Sequence, residues 1–383
     1  MPVEENLPIR YRSLLRTSSR RLRVVGGGLA ISMALVTGIF VVRAVSGTSP
    51  APPECTGGQS LEFGCFAARY EALTRLSGAQ AALGDLAQQR ATHRYLVAAC
   101  HQLTHVVGRT AGELQGRAAF TQGSDLCASG YYHGVTEAVM AGIGPERIID
   151  QARAVCAEYR KRDGQSYFHY NCVHGMGHGF MALFESDVFR SLAGCDALPD
   201  SWEQHHCYGG VFMENLTALG NPTRPSKHLR PEEPLYPCTA VQRRFKGDCY
   251  VKQTAYALFV RNDDFGAVFS LCRETADVDF RAVCYQGIGG DAAIKSSKYV
   301  IGATAQAVTV RKLCLQTADL EARSNCVVGA VTTIIRDLSG DDTKARALCS
   351  ALDDHDLAAV CEATREAASH AVPAPEGAHH HSG

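Results

Sequence analysis

The sequence predicts an all-α protein: disulfide-stapled helix hairpins repeated as an α-solenoid or a closed α/α array, preceded by one N-terminal transmembrane helix. Three observations predict it. Sixteen cysteines recur at a regular spacing, apolar residues lead into them with helical periodicity, and one uncharged run near the N-terminus is long enough to span a bilayer. The 383 residues are 46% hydrophobic and 20% charged, the composition of a folded chain, and the formal net charge of −1 gives no field that recommends nucleic acid as a partner.

The first 23 residues carry six arginines and two glutamates, and no charge follows from Val24 to Val42, where Arg43 closes the run. A helix needs about 17 to 25 residues to cross the hydrocarbon core, so 24–43 is read as a transmembrane anchor in contact with the lipid bilayer. The arginines place 1–23 in the cytoplasm and the rest of the chain outside. A cleaved signal peptide ending near Ala44, Val45 and Ser46 is the rival reading, with Arg43 badly placed for it. Residues 44–54, including SGTSPAPP, read as a stiff linker, 55–366 as the extracytoplasmic repeat domain and 367–383 as a disordered tail.

Outside the cytosol an even set of cysteines is first read as disulfides. Taken in consecutive pairs, 195–207, 238–249, 272–284, 314–326 and 349–361 each close after eleven or twelve positions, and 156–172 after sixteen. Positions 207, 284 and 361 are successively 77 apart, as are 249 and 326, so the repeat has two parts. The text inside the pairs agrees: CRETADVDFRAVC begins at Cys272, CLQTADLEARSNC at Cys314 and CSALDDHDLAAVC at Cys349. Sequential pairing is the economical choice, with 55–65 and 100–127 the less regular members.

Phe265, Val268, Phe269 and Cys272 follow i, i+3, i+4, i+7, as do Val188, Ser191, Leu192 and Cys195. Three residues after the second cysteine stands glycine at 130, 175, 210, 287 and 329, with Lys252 an exception. Each unit therefore reads as helix, short polar loop, helix, the disulfide joining the end of the first to the start of the second and the glycine admitting a close neighbour.

The histidines are not spread evenly over this repeat. The half at about 93–220 holds His101 and His105 after Cys100, His133 and Glu137 after Cys127, and His174 and His178 after Cys172. The next unit has Met213 followed by Glu214, and no histidine occurs between His228 and His355 in the half at about 221–366. Spacing by four keeps side chains on one stripe of a helix. Imidazoles and carboxylates projecting from neighbouring helices make a transition-metal site. The expected ligands are His101, His105, His133, His174 and His178, with Glu137 and Glu214 as catalytic carboxylates or as groups that orient a ligand. Zinc, copper and iron all accept such a set.

The stretch NCVHGMGHGF, with Gly175, Gly177 and Gly179, is poor helix chemistry unless a metal, a ligand or a facing helix needs the backbone bare. Tyr131 and Tyr132 are read as packing, and Glu185 as a surface residue. Asn215-Leu216-Thr217 fits a glycosylation sequon inside a predicted helix. No serine nucleophile elbow, HExxH or CxxCH occurs. The leading expectation is a metal-binding protein supporting an oxidoreductase or hydrolase reaction. The second is a non-enzymatic scaffold whose curved face binds an envelope or surface protein.

Overall fold

The computed structural model describes residues 55, 59–161, 164–165, 167–217, 226–339 and 342–371. The predicted cytoplasmic segment 1–23, the anchor 24–43, the linker 44–54 and residues 372–383 of the predicted tail lie outside these residues. Among the described residues, no helix is long and apolar enough to cross a membrane.

The elements are α1 (Gln59–Ser77), α2 (Ala79–Gln89), α3 (Arg94–Gln115), α4 (Leu126–Ile143), α5 (Ile148–Val155), α6 (Tyr167–Leu183), α7 (Val188–Cys195), α8 (Ser201–Thr217), α9 (Arg243–Val260), α10 (Phe265–Arg273), α11 (Val278–Tyr299), α12 (Ala303–Cys314), α13 (Leu320–Thr333), α14 (Thr343–Ser350) and α15 (His355–Ala371). A two-residue antiparallel pairing, Arg160–Lys161 with Gly164–Gln165, is the strand content among the described residues. Helix α15 runs to Ala371, so the repeat domain extends past the expected boundary at 366. Buried Ala368 holds that last turn down.

The longer helices α3, α4, α6, α8, α9, α11, α13 and α15 pack in a row, each against the next, with α1 beside α3. The short helices α7, α10, α12 and α14 form a second layer. This is a quasi-one-dimensional array of neighbour contacts. Its core is a continuous line of buried side chains that includes Tyr131, Phe180, Phe212, Phe265 and Tyr285.

All sixteen cysteines are paired, in sequence order, as eight disulfides with Cα atoms 5.4 to 5.8 Å apart. The hairpin unit holds in full at 195–207, 272–284, 314–326 and 349–361, where the first cysteine lies in a short helix and the second in a long one. It departs at Cys238, which sits in turns before α9, and at Cys100, which lies early in α3 rather than at a helix end.

The 77-residue repeat is visible in the backbone as well as the cysteines. Glu185 and Ser186 leave α6 through positive φ, and Asn262 and Asp263, 77 positions on, leave α9 the same way. Asp187 and Asp264 follow, and each accepts a hydrogen bond from the third residue after it, Arg190 N and Ala267 N, capping α7 and α10. Glu185 is thus a turn residue. Asp277 and Asp354 repeat a second cap at the same interval, accepting from Asp279 N and Asp356 N.

Candidate metal centre

Helices α3, α4 and α6 are consecutive in the inner row, and their four-residue stripes meet. His101 and His105 project from α3, His133 from α4, and His174 and His178 from α6. Ring centroids of His133 lie 5.5 and 5.3 Å from His101 and His105, and 4.9 Å from both His174 and His178. His105 and His178 also touch across the cluster, at 4.9 Å. All five predicted ligands therefore converge. His105, His133, His174 and His178 are at most 7% exposed, which keeps bulk solvent from their ring nitrogens.

Two glycine contacts bring the helices that close. A Cβ on Gly210 would stand 2.0 Å from the His174 carbonyl oxygen, and one on Gly177 would stand 2.2 Å from that of Cys207. Only a bare Cα fits there. Gly175 and Gly179 face α4, against His133 with Thr136 and against Met140, so a facing helix on each side accounts for the glycines of HGMGHGF.

The ring nitrogens fall into two classes. The first class is oriented by oxygen acceptors. His101 Nδ1 is 2.7 Å from the Cys127 carbonyl oxygen, His105 Nδ1 is 2.7 Å from Glu137 Oε1, and His178 Nδ1 is 2.9 Å from Glu214 Oε2. A carbonyl or carboxylate oxygen only accepts, so in each ring the proton sits on Nδ1 and Nε2 carries a lone pair. Such outer hydrogen bonds fix the tautomer of a ligating histidine. Arg109 Nη1 donates to Glu137 Oε2 at 3.2 Å and holds that carboxylate in place.

The second class has no partner. His133 Nδ1 and Nε2, His174 Nε2 and His178 Nε2 are buried without a hydrogen bond, and so is the side-chain oxygen of neighbouring Asn171. The remaining two, His101 Nε2 and His105 Nε2, lie 3.1 Å apart, a contact that opposes two lone pairs when both protons sit on Nδ1. Nitrogens sharing a tetrahedral ion at about 2.0 to 2.1 Å would be separated by roughly 3.3 Å. Three sets of candidate ligand atoms lie within 4.8 Å of one another: His101, His105 and His133; His133, His174 and His178; and His105, Glu137 and His178. Buried His/Glu groups here could hold a metal ion.

The chain matches no protein-family model, no curated protein and no solved structure. Its chemistry is read from the side chains themselves.

Burial sets the charge state of the cluster. It lowers the pKa of His101 to about 4, against the opposing hydrogen bond to Cys127, and it drives His105, His133 and His174 well below the usual imidazole value. Neighbouring histidines add to the effect. Neutral imidazole is the form that ligates metals.

Several participants carried no sequence signal. Cys127, Ala128 and Ser129 all have positive φ, so the first turn of α4 winds left-handed, at about 1 to 2 kcal/mol per residue. The Cys100–Cys127 disulfide, the His101 contact to the Cys127 carbonyl and a 2.5 Å hydrogen bond between Ser129 and Tyr167 hold it. That turn aims the carbonyl at His101. From the later half of the array, the charges of Lys298 on α11 and Lys252 on α9 oppose protonation of His101 and His174. Asp291, bonded by Thr254 Oγ1 at 2.7 Å, lies beside both lysines, and burial raises its pKa to about 7. The histidine-poor half therefore reaches the centre electrostatically.

Other predicted groups lie elsewhere. Tyr131 donates to the Ala119 carbonyl oxygen at 2.8 Å and Tyr132 packs against Phe120 and Tyr167, so both are core residues. Asn215 is 1% exposed and accepts from Ser226 Oγ, so the sequon is closed to glycosylation in the folded chain.

Proposed function

We propose that this chain is a membrane-anchored, extracytoplasmic protein that binds a transition metal through His101, His105, His133, His174 and His178. The uncharged run 24–42 behind an arginine-rich N-terminus supports the anchor. Eight paired disulfides with no free cysteine support an oxidising compartment. The observation that carries the metal reading is the 3.1 Å approach of His101 Nε2 to His105 Nε2 with both Nδ1 protons engaged elsewhere. Two lone pairs at that distance repel unless a cation lies between them. Burial disfavours the charged form of both rings, and a metal ion held by both Nε2 atoms would resolve the contact.

Glu137 and Glu214 then act as orienting carboxylates, each on the far nitrogen of a ligand, and Arg109 steadies Glu137. Three imidazoles leave a tetrahedral ion one open position, where it supplies Lewis acidity to water or affinity for a small oxidant. A hydrolase or oxidoreductase reaction is the chemistry that such a position supports. Zinc, copper and iron each suit the donor set.

The test is elemental analysis of the purified full-length chain, with His133→Ala and His178→Ala variants in parallel. Stoichiometric metal in the wild type, reduced in both variants, is expected. No stoichiometric metal in any preparation overturns the reading and leaves the scaffold. Exposed Val278, Tyr299, Ile301 and Leu320 in the later half favour that scaffold as the second reading.

A further inference from the structure

His133 occupies a position no other residue of the cluster shares. Its helix, α4, lies between α3 and α6 in the row, and its ring touches the α3 pair on one side and the α6 pair on the other. It belongs to both all-histidine sets, His101 with His105 and His174 with His178. Both of its nitrogens are buried and lack a partner of good hydrogen-bond geometry, with the Asn171 side chain the polar group beside them.

A single ion does not satisfy this arrangement. Bound at His101, His105 and His133, it leaves His174 Nε2, His178 Nε2 and the second nitrogen of His133 buried and unpaired. Bound at His133, His174 and His178, it leaves the two facing Nε2 lone pairs of His101 and His105 unresolved. A buried polar group left unpaired destabilises the fold, and a ligand on it relieves that cost. Two ions reach each nitrogen of the cluster that is buried without a partner, and the facing pair of His101 and His105, at once.

The geometry points to a two-ion centre in which His133 is the bridge, one nitrogen to each ion. One ion takes His101, His105 and His133, and the other takes His133, His174 and His178. This inference rests on the metal-binding reading above. The two halves match in construction. Each has two histidines four apart on one helix, and one of each pair, His105 or His178, donates through Nδ1 to its own carboxylate, Glu137 or Glu214. Each ion keeps one position open for a ligand. A neutral imidazole has one lone pair, so when the second divalent ion binds, the ring proton of His133 leaves to solvent and the ring becomes a bridging imidazolate. Its negative charge and the two carboxylates offset most of the added positive charge in a buried site.

Native mass spectrometry of the full-length chain titrated with zinc(II) counts the ions, and electron paramagnetic resonance of the chain loaded with copper(II) reads the bridge. Expected are two zinc ions per chain and two copper ions whose integrated spin falls well below two, with a half-field resonance from their coupling. His101→Ala is expected to keep one ion, with an uncoupled copper signal of full intensity. His133→Ala should abolish the coupling, and circular dichroism checks its fold. One zinc per chain in the wild type overturns the two-ion centre and leaves the metal reading standing, whereas none overturns both. Two copper ions with full spin intensity, or coupling that survives in a folded His133→Ala, overturn the bridge.

Discussion

His101 Nε2 and His105 Nε2 stand 3.1 Å apart on successive turns of α3, while their Nδ1 atoms are bound to the Cys127 carbonyl and to Glu137. In the proposed centre a metal ion held by both would remove the opposition of their lone pairs. A ligand that binds only the folded chain adds about 2.7 kcal/mol when its concentration is a hundred times the Kd. In a domain of this size that corresponds to a rise in Tm of about 5 °C. Differential scanning calorimetry with and without zinc(II) should show the rise and its reversal by a chelator. His101→Ala should lose much of the increment while the metal-free Tm changes little. A metal-free protein with the same Tm in both conditions counts against the site.

In the proposed centre Glu214 would affect an ion only through His178. Its carboxylate accepts from Nδ1 at 2.9 Å and is partly exposed, so Glu214→Gln preserves shape and removes charge with little harm to the fold. Loss of an outer partner of this kind lowers metal affinity by about 10- to 100-fold. Competition titration against a chelator of known affinity measures the change. An unchanged affinity places Glu214 outside the centre.

Proton linkage gives the metal-free protein a predictable acid sensitivity. Burial lowers the pKa of His101 and His206 to about 4 and carries His105, His133 and His174 well below 6.5. Between 6.5 and these folded values the unfolded chain binds protons that the folded chain does not, so stability falls as pH falls through that window. Each such histidine contributes about 1.4 kcal/mol per pH unit. Thermal melts of the metal-free chain should show Tm dropping on the order of 10 °C between pH 7 and pH 5. A flat profile would mean that these imidazoles are protonated or solvated in the folded state.

What was legible in the sequence was whatever the repeat encodes locally. The pairing of Cys272 with Cys284 and of Cys314 with Cys326 follows from spacing, because a staple across a short loop is a neighbour contact. The convergence of His105, His133 and His178 follows because consecutive long helices pack side by side and their stripes occupy the same register. Contacts that depend on the third dimension left no mark. The left-handed turn at Cys127 to Ser129 contains no glycine or asparagine to announce it and is held from outside by His101 and Tyr167. The charge of Lys298 on α11 felt at His101 on α3 links elements too far apart in the chain for one window of sequence to contain both. Which nitrogen of His105 faces inward was equally hidden, since that is decided by Glu137 on another helix.

The glycine contacts between α6 and α8 set the spacing on which the centre depends. At Gly210 an added methyl would meet the His174 carbonyl oxygen at 2.0 Å, and at Gly177 it would meet the Cys207 carbonyl oxygen at 2.2 Å. Both obstacles are backbone, so no rotamer change relieves them and the two helices must part. Gly210→Ala and Gly177→Ala should therefore each destabilise by about 3 kcal/mol, the upper range for overpacking. They should also weaken metal binding, because separating α6 from α8 draws His178 away from Glu214. Gly84 in α2 is the matched control: it is exposed, nothing lies within 4 Å of its added Cβ, and alanine there should be neutral or stabilising by about 0.5 to 1 kcal/mol. Chemical denaturation of the three variants separates the cases. If Gly210→Ala unfolds at the same denaturant concentration as Gly84→Ala, the helices are not in contact at that point and the close approach assigned to HGMGHGF is wrong.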